Sequence, residues 1–149
     1  MKKPYVTIIL LLFCWTASLA FWSDKAVATT AAHYWIASTR NDLFNGPFWI
    51  YVSWSVVLHS GWSHLLLNTL ALTVCGGTLE RTWGPLRYGI LVIISGLLSS
   101  TAQIIWSGHG DIGVSGVVYS CVGALVTAQA LHKQFHSRFL LVSTAILSA

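Results

Sequence analysis

The chain has 149 residues, of which 55% are hydrophobic and only 8% charged, against about 25% charged in an average soluble domain. That composition excludes a soluble globular protein, and the formal charge of +4 is spread too thinly along the chain for a nucleic-acid surface. Three cysteines, Cys14, Cys75 and Cys121, lie in apolar runs without C-x-x-C spacing, so neither a disulfide scaffold nor a soft-metal site is indicated.

Uncharged runs cover Pro4–Ser23 (20 residues), Leu43–Leu79 (37), Tyr88–Gly110 (23) and Ile112–His132 (21), and a last run from Phe139 has 11 residues. A helix rises about 1.5 Å per residue and needs about 20 residues to cross a ~30 Å hydrocarbon core. The expected fold is therefore an all-α polytopic membrane protein, four full spans plus half of a fifth, in one domain of residues 1–149. The short last run reads as a chain cut before its natural end.

The first run carries two readings. Lys2 and Lys3 ahead of an apolar stretch, with Ser18-Leu-Ala20 near its end, fit a cleaved secretory signal as well as a first helix. Residues 23–58 mix Asp24, Lys25, Arg40 and the Asn45-Gly46-Pro47 turn with many aromatics, which predicts an ordered loop in the outer membrane interface. A helix is expected from about Gly61 to Gly77, where Gly76-Gly77 ends it, and Glu80–Arg87 forms an inner loop. Further helices are expected at about 88–106 and 115–131. On this topology Lys2, Lys3, Arg81, Arg87, Lys133 and Arg138 fall on one side, and Lys25 and Arg40 on the other. The bias places the amino terminus in the cytoplasm, and the plasma (inner) membrane is the expected location.

Polar side chains inside a membrane mark functional sites. His64 and Asn68 are four residues apart, on one helix face, and His59 precedes them where the chain can turn it toward the same point. Gly113-Val-Ser115-Gly116 begins another helix at the same membrane end, and its serine has free amides at hand. Such amides, with the Asn68 amide or the His64 imidazole, suit an oxyanion if Ser115 attacks a carbonyl. The bland alternatives are a polar packing cluster and an ordinary helix start. A metal set of His59, His64 and His109 finds no spaced carboxylate to join it, so no metal or cofactor is expected.

The runs His59-Ser-Gly-Trp-Ser-His64-Leu-Leu-Leu-Asn68, Gly76-Gly77-Thr-Leu-Glu80-Arg81-Thr-Trp-Gly84 and Gly113-Val-Ser115-Gly116-Val-Val-Tyr119 together resemble the rhomboid family of intramembrane serine proteases, along the whole chain. The resemblance implies a retained first helix, Ser115 as nucleophile, His64 and Asn68 lining an oxyanion hole, His59 supporting the site and Tyr119 packing against the catalytic histidine. It implies a lipid bilayer and single-pass transmembrane proteins as partners, cut near the outer face, and it says nothing of oligomeric state. Two departures stand out. Trp49-Ile50 replaces the family's usual Trp-Arg, and no histidine after His136 supplies the general base that the family takes from its sixth helix. The expected function is an intramembrane serine endopeptidase with its base on a missing helix; the alternative is an inactive rhomboid-like protein that binds transmembrane clients.

Overall fold

The computed structural model describes residues 3–23, 48–108 and 112–131, all helices and connections. Helix α1 is Tyr5–Ser23 and α2 is Phe48–Ser55. Trp62–Ala71 forms α3, which passes through a π-helical turn at Leu72–Gly76 into α4, Gly77–Trp83. Helix α5 is Pro85–Ser107 and α6 is Ser115–Leu131.

The number of spans differs from the sequence expectation of four and a half. Among the described residues two helices, α1 and α5, are long and apolar enough to cross a membrane. The stretch from Trp62 to Trp83 fails because the π turn divides it into helices of 10 and 7 residues, the second carrying Glu80 and Arg81. Helix α6 is apolar but has 17 residues, about 25 Å at the usual rise, short of a ~30 Å core. The expected half-span at 139–149 lies outside the described residues. Only 22% of the α1 window and 17% of the α5 window are buried. A core helix of a soluble protein would be mostly buried, whereas these turn Ile9, Leu12, Ile93 and Leu98 outward, each at least 61% exposed.

Glu80 explains much of the packing. Instead of beginning an inner loop it is 2% exposed, and its carboxylate takes the first free amides of α1. Val6 N–H donates to Oε1 at 2.8 Å, and the Thr7 N–H and hydroxyl both donate to Oε2 at 2.8 Å. Helix starts leave such donors unpaired, and an anion there also meets the positive end of the helix dipole. The inner connection shrinks to Gly84, whose φ of 86° needs a glycine, and Pro85 then starts α5 where its missing N–H costs nothing.

Gly76-Gly77 does not end the helix. The Tyr88 hydroxyl occupies the place that a side chain on Gly76 would fill, so the glycine admits α5. Ser99 fills the corresponding place at Gly116, bringing α5 and α6 together; close approach at small residues is how membrane helices pack. The core joins Leu65, Leu72, Cys75 and Leu79 to Tyr88 of α5, Cys14 of α1 and Val117, Val118, Cys121 and Leu125 of α6. Threonine hydroxyls bond back to carbonyls one turn earlier, as Thr69 does to Leu65 O at 2.7 Å and Thr73 to Thr69 O at 2.7 Å, which satisfies them in apolar surroundings.

Within residues 23–58, positions 24–47 lie outside the described residues. The rest holds α2, which packs Val52 against Ile104 and Leu97 of α5.

Candidate functional site

His59, His64 and Asn68 meet at one end of the molecule. His59 follows α2 and is fully buried. Its Nδ1 lies 3.1 Å from Val57 O and 3.2 Å from Ser18 Oγ. The carbonyl can only accept, so Nδ1 carries the proton and Nε2 is left as a buried acceptor without a partner among the described residues. Helix α1 also reaches this corner through Trp22, whose Nε1–H donates to His59 O at 2.9 Å. Burial, then the nearby His64, lowers the His59 pKa to about 4, against a weaker opposing effect of the Val57 carbonyl. The ring is therefore neutral at neutral pH.

The His59 ring meets the His64 ring edge-on, with centroids 5.0 Å apart, and His64 Nδ1 pairs with Ser60 Oγ at 3.2 Å. The far side of His64 faces Gly113. A Cβ at Gly113 would lie 2.8 Å from His64 Nε2 and 3.7 Å from Asn68 Nδ2, so both nitrogens converge on the backbone two residues before Ser115. Asn68 is 7% exposed, and its Nδ2 has no hydrogen-bond partner among the described residues. The loop is pinned from behind, since Gly113 N–H donates to Ser55 O at 2.8 Å.

Ser115, the first residue of α6, opens on a cavity of about 270 Å³ lined by Ser99, Ser100, Gln103, Ile112, Gly113, Ser115, Gly116 and Tyr119. Five of these side chains bear hydroxyl or amide groups in a wall between two apolar helices. Tyr119, one turn below Ser115, lines the same cavity and is 63% exposed. Among the described residues no hydrogen bond joins Ser115 Oγ to an imidazole, and no group of three or more potential metal ligands occurs. His109 lies outside the described residues.

Sequence reasoning reached the residues within the two motifs and missed their surroundings. Ser99 and Gln103, four apart on α5, carried the helical spacing that would have flagged them. Ser18 and Ser55 gave no such signal, because they act through contacts 41 and 58 residues away in sequence.

Comparison with known proteins identifies the architecture. Residues 45–149 match the Rhomboid domain, and the chain belongs to the rhomboid family. It is 35% identical over 102 residues to the rhomboid protease GluP of Bacillus subtilis, covering 68% of this chain and 20% of that protein. RHOMBOID-like protein 5 of Arabidopsis thaliana is 33% identical over 94 residues, 61% of this chain and 30% of that protein. Rhomboid protease GlpG of Salmonella newport is 29% identical over 118 residues, 79% of this chain and 41% of that protein. The chain thus spans between a fifth and two fifths of the length of these curated relatives. Family membership and two outward-facing apolar helices make it an integral, multi-pass membrane protein of an intramembrane-protease lineage.

Proposed function

We propose that this chain binds transmembrane segments of client proteins at the Ser115 cavity and does not cleave them on its own. The observation that carries this reading is that Ser115 faces a polar cavity between α5 and α6 while neither described imidazole bonds to its hydroxyl. A serine hydroxyl is a weak nucleophile until an adjacent base takes its proton. His59 is committed to Val57 and Ser18, and His64 Nδ1 to Ser60. An unwound stretch of a single-pass client offers carbonyl oxygens, and the Ser100 and Gln103 side chains in the cavity wall supply donors that lipid cannot.

A second reading is favoured by Asn68. Its buried Nδ2, beside His64 Nε2 at Gly113, is a donor awaiting an acceptor, as an oxyanion hole requires. In that reading Ser115 is the nucleophile of an intramembrane serine endopeptidase, His64 and Asn68 bind the developing oxyanion, His59 braces His64, Tyr119 shapes the cavity, and a histidine beyond those described here acts as base.

Photocrosslinking from a probe at Tyr119 to single-pass client peptides in vesicles, together with fluorophosphonate labelling, separates the two. Binding predicts crosslinks that persist in Ser115→Ala, with no cleavage and no labelling. Ser115-dependent labelling or cleavage would overturn the binding-only reading in favour of the peptidase, and absence of crosslinks, labelling and cleavage would overturn both.

A further inference from the structure

We propose that the end of the molecule opposite the Ser115 cavity is a docking surface for anionic phospholipid headgroups, formed by Lys3, Arg81 and Arg87 around the buried Glu80. The surface is independent of what Ser115 does. Lys3 lies just ahead of α1, and its carbonyl accepts from Tyr5 N–H at 3.1 Å. Arg81 follows Glu80 directly. The Gly84 N–H closes on Glu80 O at 2.9 Å, turning the chain into α5, whose first turn carries Arg87. Because Glu80 holds the start of α1, these three cations gather where α1 and α5 both begin, and all three are exposed.

Among the described residues no acidic side chain at the surface compensates their charge. Glu80 is the sole acidic side chain among the described residues, and it is 2% exposed with both oxygens occupied by Val6 and Thr7. The patch thus presents three positive charges outward while its counter-charge is turned inward to a helix start.

The surroundings select a lipid over a soluble acidic partner. Tyr5 is 60% exposed, Leu86 76% and Trp83 39%, so aromatic and apolar side chains stand among the cations at the ends of two helices able to cross a bilayer. That mixture suits the headgroup level, where amphipathic rings lie among phosphates and long basic side chains extend to them. A soluble anionic protein would leave Leu86 and the adjoining outward face of α5 without cover.

The test uses the purified 149-residue chain in mixed micelles containing equal phosphatidylglycerol and phosphatidylcholine, with retained lipid counted by native mass spectrometry. Phosphatidylglycerol should be retained preferentially, and the preference should fall by about fivefold for each charge removed in Lys3→Gln, Arg87→Gln and the triple variant with Arg81→Gln. It should also fade when salt shortens the screening length from about 10 Å to about 3 Å. Equal retention of the two lipids by the unaltered chain, or a preference untouched by Lys3→Gln and Arg87→Gln, would overturn the proposal. The single variants and the salt series decide the matter even if the triple variant does not fold.

Discussion

A methyl group at residue 113 would fall 2.7 Å from His64 Cε1 and 2.8 Å from Nε2, and the backbone there holds φ at 134°, a region that strains any L side chain. Gly113→Ala should destabilise the protein by about 1–3 kcal/mol, read from unfolding midpoints in detergent. Gly61→Ala is the matched control, because Gly61 has an extended φ of 179° and open space where its Cβ would stand; its effect should stay within about 0.5 kcal/mol. His59 makes a different prediction. Its folded pKa of about 4 lies below the ordinary 6.5, so between those values the unfolded chain binds a proton that the folded chain refuses. The stability it contributes is complete above pH 6.5 and is lost as pH falls toward 4. Unfolding midpoints should drop across that window, and His59→Gln should flatten the drop; an unchanged slope would show that His59 is not the titrating group. At this scale the sequence was most legible where partners are close in the chain. His64 and Asn68 share a helix face by spacing alone, and Ser115 sits at a helix start between glycines. Ser18 and Trp22, which hold His59, could not be found that way, because an apolar helix with a serine and a tryptophan looks the same whether or not another segment packs on it.

Glu80 shows why charge patterning misplaces an element boundary. In a membrane sequence a Glu-Arg pair followed by Trp-Gly-Pro suggests an exposed inner loop, yet only Arg81 turns outward while Glu80 turns in to the free amides of α1. Replacing Glu80 by Gln keeps the shape but leaves one carbonyl oxygen for three donors and removes the charge that faces the helix start. Hydrogen bonds to charged groups contribute about 1.5–3 kcal/mol each, so Glu80→Gln should cost about 2–3 kcal/mol, and Glu80→Ala more. The loss should appear first in α1. Trp15 bonds Thr69 of α3 at 3.0 Å and packs near Trp62, ring centroids 6.2 Å apart, so its fluorescence should change before the far-ultraviolet helix signal does. Simultaneous loss of both signals would mean that α1 is not a separately detachable element. The π turn at Leu72–Gly76 escaped sequence reading for a related reason: it ends at Gly76, where Tyr88 of another helix packs, whereas Gly76-Gly77 alone resembles a helix stop.

At the scale of the whole molecule, helix direction ties charge to function. Glu80 fixes the starts of α1 and α5 at one end, with Lys3, Arg81 and Arg87. Ser18, Trp22, His59 and the cavity wall of Gln103 and Ser115 lie at the other, where α1 and α5 finish. If the basic end is cytoplasmic, as charge bias favours, the cavity opens toward the outside and clients are met at their outer ends. Cysteine accessibility tests this directly. The native Cys14, Cys75 and Cys121 are all buried, so replacing each by Ala leaves a chain in which only introduced thiols react. Ser60 and Thr82 are both exposed and mark the two ends, Ser60 beside His64 and Thr82 beside Arg81. In intact cells a membrane-impermeant maleimide should label Ser60→Cys, and should label Thr82→Cys only after the membrane is opened. Reversed labelling would put the cavity on the cytoplasmic side and invert the client geometry, and labelling of both in intact cells would mean that α1 and α5 do not carry these two ends to opposite faces of the bilayer.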